Sequence, residues 1–461
     1  MIAKLAMRSL SAHPVRSAVL AAGFGTGVSV MAILLGVAEV VLEQARSPVL
    51  VGGGDLVISG TVSGVTAARV LLSGTLQTPS LAGRIRAASP WSATPLYLVR
   101  EDGVTPVEAR GGIPSLERAL GDSEVSDVTA WIDAAADGAW TVPEPVDILR
   151  SIDGFRRVPE VPARAASWAE WLYFNGRSPE ARFYLTFLAG PARADGVRVA
   201  GVRLQLDRGG RMETFSASAD LDEAAIAAAP ELTIGGNRIR LQGRRYLLTL
   251  DLRGEGGRAA GDLFIEGAAD RLMPPIEIHG AGGWRSGYVV PVMSGVLGGT
   301  LVVNGESIRF DQGVGYHDHN WGFWEGVSWK WGQVQYGDTS VVYGRVSPPR
   351  DAADPDRMPG FLAVIGPDGP IGYATNARIE EVDAPESSRP ERITVRGRSA
   401  SIDLTLTFSV EGLTVTGMQR GPLLSAMDFL QLRGRYTVAG TAGGRSLSFQ
   451  SPGSAETFRG R

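Results

Sequence analysis

Beyond residue 165 the chain is dominated by apolar and polar residues in alternation, the period expected of strands that bury one face. Arg203-Leu204-Gln205-Leu206-Asp207 alternates cleanly, Arg208-Gly209-Gly210-Arg211 turns, and residues 212–218 return. Arg238-Ile239-Arg240-Leu241 and Tyr246-Leu247-Leu248-Thr249-Leu250 are further strands. Around Asn304-Gly305 two short strands, 300–303 and 307–310, predict a hairpin, because Asn-Gly suits a type I′ turn. Residues 393–397, 400–410 and 413–418 read as a meander, and 436–440 with 447–449 as a last hairpin. Strands at intervals of about ten residues predict sandwiches or barrels. The expected fold is mainly β: two antiparallel β-barrel or sandwich domains, 165–326 and 327–461, dividing near Gly326.

The first fifty residues follow another pattern. Residues 17–38 carry no charge. As a helix such a run spans about 33 Å, enough for a bilayer core. Lys4, Arg8 and Arg16 precede it, and Glu39 and Glu43 follow. The positive-inside rule then predicts a cytoplasmic segment 1–16, a transmembrane helix 17–42 and an exported remainder, a single-pass protein of the bacterial inner membrane. A cleaved signal peptide is the alternative, but its apolar core is ordinarily about 7–15 residues, shorter than this run. Residues 43–145 predict a small extracytoplasmic α+β module with a helix at Pro114-Ser115-Leu116-Glu117-Arg118-Ala119-Leu120, and 146–164 a linker. Ala6-Met7-Arg8-Ser9-Leu10, His13-Pro14-Val15-Arg16-Ser17, the apolar run and Gly53-Gly54-Asp55-Leu56-Val57-Ile58 together resemble the start of FtsX-like ABC-transporter permeases. No second long apolar helix follows, so the resemblance implies an anchor and module rather than a conduit.

Composition narrows the functions. A formal charge of -4 offers no basic field for nucleic acid. With no cysteine there are no disulfides, thiolate metal sites or cysteine nucleophiles. No nucleotide-binding fingerprint, Walker motif or Gly-x-Ser-x-Gly elbow is present. ATPase, dinucleotide oxidoreductase and serine hydrolase readings therefore drop out, and no cofactor is expected.

Two segments concentrate chemistry. Residues 167–176 contain Trp168, Trp171, Tyr173 and Phe174, either core packing or the lining of a hydrophobic ligand site. Residues 313–326 contain Tyr316, His317, Asp318, His319, Trp321 and Trp324, followed by Trp329 and Trp331. On a strand His317 and His319 share one face and Asp318 takes the other. A metal held by His317 and His319, with His279 or Asp318 as third ligand, is weighed and set aside, since a lone His-x-His is weak evidence.

Glu170-Trp171-Leu172-Tyr173-Phe174, Gly315–Gly322 and the closing residues 436–458 resemble the carotenoid 1,2-hydratase (hydroxyneurosporene synthase) and AttH-like family. The resemblance covers about residues 150–461. It implies two lipocalin-like β-domains and a cavity for a long apolar molecule. It also implies hydration of a C=C bond by acid catalysis. Asp318 would be the acid, His319 would position water, and Trp321 would stabilise the cation with Trp171 or Trp331. Tyr343 would assist, although Arg345 stands where the family's further acid is expected and Glu325 is its nearest substitute. Trp171, Tyr173, Tyr316, Trp324, Trp329 and Trp331 are the expected ligand-binding residues. The expected partner is an isoprenoid or lipid. The alternative is a non-enzymatic lipid-binding accessory of an ABC transporter's ATPase and permease.

Overall fold

The computed structural model describes residues 87–100, 103–120, 144–268, 271–367, 369–385, 389–418 and 427–460, with scattered positions before them. The expected cytoplasmic segment and transmembrane helix lie outside the described residues. No described helix is long and apolar enough to cross a membrane.

Contacts divide the chain into two units. In the first, β1 (Trp91–Arg100) and β2 (Gly103–Gly112) form an antiparallel hairpin, followed by α1 (Pro114–Leu120). This is the helix that the sequence predicts there.

The second unit holds the rest. The expected linker contains α2 (Pro145–Asp153), started by Pro145, whose missing N–H costs nothing at a helix N-terminus. Leu149 and Ile152 turn inward, and Asp153 at its end is fully buried. A tether would stay in solvent; this segment is part of the core.

Then come β3 (Trp168–Arg177), β4 (Arg182–Ala192), β5 (Arg198–Arg208), β6 (Arg211–Leu221), a short α3 (Glu223–Ala227), β7 (Thr233–Ile234), β8 (Asn237–Gln242), β9 (Arg245–Gly254) and β10 (Gly257–Gly267). They are followed by β11 (Met273–His279), β12 (Arg285–Val303), β13 (Glu306–Arg309) and β14 (Gly313–Phe323). Pairing runs β10-β12-β14-β3-β4-β5-β6-β9, and β9 pairs back to β10, so the ring closes into the first barrel. Closure between β6 and β9 is narrow, a single partner pair Ser216–Arg253. Gly254 makes it feasible, because a side chain there would strike the Thr214 backbone. Asn304 (φ 53°) and Gly305 (φ 89°) turn β12 into β13 as the Asn-Gly signal predicts. Pro291 and the nearby glycines suggest two strands in 288–303. The chain instead forms the single strand β12 and absorbs the irregularity as register shifts near Val292.

The second barrel is an up-and-down meander: β15 (Ser328–Tyr336), β16 (Thr339–Ser347), β17 (Gly360–Gly366), β18 (Gly369–Asp383), β19 (Pro390–Arg398), β20 (Ile402–Met418), β21 (Met427–Ala442) and β22 (Arg445–Gly460). β22 returns to β15 and closes it. The boundary falls between Phe323 and Ser328, around Gly326. Each barrel has its own apolar core. A third cluster lies between them, built by Tyr173, Tyr184, Tyr288, Tyr316, Trp331 and apolar neighbours. The fold is therefore mainly β, two antiparallel barrels of the lipocalin kind joined by a buried aromatic layer.

Candidate functional site between the barrels

Alternation along β14 sorts the dense segment onto two faces. Register partners are Asp318 with Tyr173 and His319 with Leu172 on β3. His317, His319 and Trp321 point into the first barrel, and Tyr316, Asp318 and Asn320 face the second.

Inside the first barrel the imidazoles meet carboxylates. His317 Nε2 lies 2.8 Å from Asp153 Oδ2 and its Nδ1 2.9 Å from the Tyr173 carbonyl. His319 Nε2 lies 2.9 Å from Glu170 Oε1 and its Nδ1 3.2 Å from Asp153 Oδ1. Burial opposes charge on His319, but hydrogen bonds and charge from Asp153 and Glu170 outweigh it and raise its pKa. For Asp153 burial works against ionisation, and the two histidines more than reverse it, far below the usual carboxylate range. Arg198 Nη1 comes within 3.9 Å of Glu170, and the Arg156 guanidinium lies over the Trp321 ring. This is a closed ionic network that fixes α2 in the barrel. His279 is exposed at the end of β11, and Asp318 is on the opposite face from the two histidines. Neither joins them in a metal set, and no group of three or more such ligands occurs among the described residues.

The layer between the barrels holds a different arrangement. Trp331 Nε1 donates to the Tyr288 hydroxyl at 2.9 Å, which lies 2.6 Å from the Tyr316 hydroxyl, and Tyr316 donates to Asp318 Oδ2 at 2.9 Å. An indole N–H can only donate, so the chain of donors runs from Trp331 toward Asp318. Asn320 Nδ2 donates to Oδ1 at 2.9 Å. Burial, then the charge of Glu456, pushes the Asp318 pKa well up against these hydrogen bonds. Glu456 comes from β22, in register with Trp331 on one side and Gln431 on the other. Burial raises it to about 7, held back by Tyr173, Gln431 and Trp329. Among the described residues its Oε1 has no hydrogen-bond partner, nor do Asn175 Nδ2 and Gln333 Oε1.

The aromatics form a rim. Trp171 packs against Trp324 at 4.6 Å and Trp329 at 5.7 Å between ring centroids, and Tyr288 against Phe361 at 5.7 Å. Asn320, in register with Trp171 and with Tyr288, is half-buried, as are Trp171, Trp329 and Phe361.

Of the sequence-derived candidates, Asp318, Tyr316, Trp171, Tyr173, Trp324, Trp329 and Trp331 come together here. His319 and Trp321 do not: strand alternation puts them inside the first barrel. Tyr343 lies inside the second barrel, its hydroxyl 3.0 Å from that of Tyr436, which donates to the Ser454 carbonyl. Arg345 donates to the Pro355 carbonyl at 2.9 Å, and Glu325 is exposed. The resemblance implies a cavity, whereas the layer here is filled by side chains. Sequence reasoning missed Glu456 and Tyr288 as site residues. The legible signal for Glu456 was one acid among the small and apolar residues of the last strand.

No family model matches the chain, and no curated protein does; the permease resemblance thus finds no support there. Solved structures similar to it include an AttH protein from Nitrosomonas europaea, 13% identical with a TM-score of 0.44 over 63% of this chain and 92% of that one. CghA in complex with Sch210972 is 12% identical, TM-score 0.45, over 67% and 95%. Kievitone hydratase from Nectria haematococca is 12% identical, TM-score 0.43, over 66% and 94%.

Proposed function

We propose that the protein is a hydratase-like enzyme that adds water across a C=C bond of an apolar isoprenoid or lipid. The observation that carries this reading is a buried Asp318 at the end of a hydroxyl chain, its pKa pushed well up by burial and by the charge of Glu456. A carboxylic acid kept protonated by burial is a proton donor of suitable strength near neutral pH. Asp318 gives its proton to one alkene carbon, and the π bond breaks. Positive charge develops on the other carbon and is stabilised by the faces of Trp331 and Tyr173, about 2 kcal/mol or more for each desolvated ring. Water attacks that carbon, and its proton passes to the Glu456 carboxylate. Return of the proton to Asp318 resets the site, and the sum is one water added. The ligand enters over the rim of Trp171, Trp329 and Phe361, whose side chains must swing aside.

The test is incubation of purified protein with an isoprenoid panel in heavy-oxygen water, read by mass spectrometry. Label incorporation is expected, falling about 100-fold or more in Asp318→Asn and in Glu456→Gln while ligand binding survives. Turnover unchanged in Asp318→Asn rejects the mechanism.

A second reading rests on the uncharged run 17–38 behind Lys4, Arg8 and Arg16. It is a lipid-binding accessory of an ABC transport system, anchored in the bacterial inner membrane with its bulk outside. Lipid extracted with the purified protein but no label incorporated across the panel favours it.

A further inference from the structure

At the other end of β3 the two barrels meet around a pair of arginines. Arg177 and Arg182 are register partners across β3 and β4. Arg177 donates to the Pro452 carbonyl, and Arg182 Nη1 to the Gly453 carbonyl at 2.8 Å and Ser454 Oγ at 3.3 Å. These acceptors are neutral. Among the described residues neither guanidinium has a carboxylate partner.

The carboxylates at this place are engaged elsewhere. Asp207 Oδ2 lies 3.1 Å from Arg433 Nε, and its Oδ1 accepts from the Gly210 amide at 3.0 Å. Glu180 accepts from the Arg309 amide at 3.0 Å, and Glu411 faces Arg435 at 3.7 Å. The two arginines border an open pocket of about 290 Å³ between the β5–β6 turn and the middle of the second barrel's last strand. Burial, and repulsion by Arg182, pull the Arg177 pKa down to about 10.

We infer that this pocket binds an oxyanion, a carboxylate or phosphate group, between Arg177 and Arg182. Two adjacent guanidiniums with most of their five N–H donors unspent match the planar oxygens of such a group. A negative charge there also relieves the repulsion between them. The pocket volume admits inorganic phosphate or a small carboxylate with room to spare. The proposal stands apart from the Asp318 chemistry and needs no alkene substrate.

The test is calorimetric titration of the full chain with sodium phosphate and, separately, sodium acetate, with ionic strength held constant by chloride. Saturable binding of at least one anion is expected, weakened about tenfold in Arg182→Gln. Because Arg182 also ties the barrels together, Glu411→Gln is the second variant. Glu411 is a half-exposed acid at the pocket wall whose removal spares the fold, and its loss should tighten binding about twofold, since a like charge leaves the site. Saturation by phosphate alone assigns a phosphate group, and by acetate alone a carboxylate. Binding of neither, or affinities unchanged in both variants, overturns the proposal.

Discussion

Two carboxyls decide how this molecule responds to pH. The Glu456 pKa rises from 4.5 to about 7 in the folded protein because it is buried. A raised pKa means that the folded state holds its proton more tightly. The contribution is therefore fully present below pH 4.5 and is lost as pH climbs through about 7. Its size is about 3 kcal/mol by linkage. Denaturant melts between pH 4.5 and 8 should show wild-type stability falling by that order relative to Glu456→Gln, whose curve should be flatter. Parallel curves would remove Glu456 from the account. In turnover the sign is opposite. The rate should rise as Glu456 ionises near pH 7, and decline when Asp318, pushed further up by that same charge, loses its proton. The loss of the acid form gives the alkaline limb. Asp318 was legible from the strand pattern because it sits in a dense polar-aromatic run. Glu456 carries only a faint signal, one acid in the last strand, and its pairing with Asp318 is hidden because only barrel closure brings it near.

At the scale of elements, β14 and α2 carry the argument. Strand alternation predicts that His317 and His319 share a face opposite Asp318, and they do; a single site made of Asp318 and His319 is incompatible with that geometry. What the pattern could not reveal was the partner inside the barrel. Residues 146–164 look like a linker because Pro159 and Pro162 punctuate them, yet α2 drives Asp153 beneath both imidazoles. Breaking a buried ionic network by removing one partner costs about 3–5 kcal/mol, since charges are left uncompensated. Asp153→Asn should lose stability of that order in urea melts at neutral pH; a loss under about 1 kcal/mol would mean that the network contributes little. The Asp153 pKa is lowered, so its stabilisation persists above pH 3.8 and is lost only as pH falls through its folded value. The raised His319 pKa works the other way, with stabilisation lost as pH rises through it. The network is strongest in mildly acidic solution, between pH 3.8 and 6.5.

At the scale of the whole molecule, the two barrels share one aromatic layer. That there are two β-barrels was legible because the strand pattern recurs on both sides of a glycine-containing turn. The layer itself was not, since its members come from β3, β4, β11, β12, β14, β15, β16 and β17. Tyr173, Tyr288, Tyr316 and Trp331 are all buried in the joined barrels. Expressed alone, residues 327–461 would expose the apolar and aromatic face of the second barrel, a patch of the kind that drives association. The expected outcome is an aggregating or dye-binding species rather than a soluble monomer, checked by light scattering and a hydrophobic dye. A monodisperse fragment with a sharp melt would show that the layer is dispensable to folding.

The sorting of β14 also bears on how such a chain can change length over its descent. Adding or deleting one residue within this strand would exchange its faces, sending the histidines into the seam and the aspartate among the phenylalanines of the barrel. Two-residue changes would preserve both networks. Among descendants of this gene, insertions and deletions tolerated between positions 314 and 322 should therefore come in even numbers.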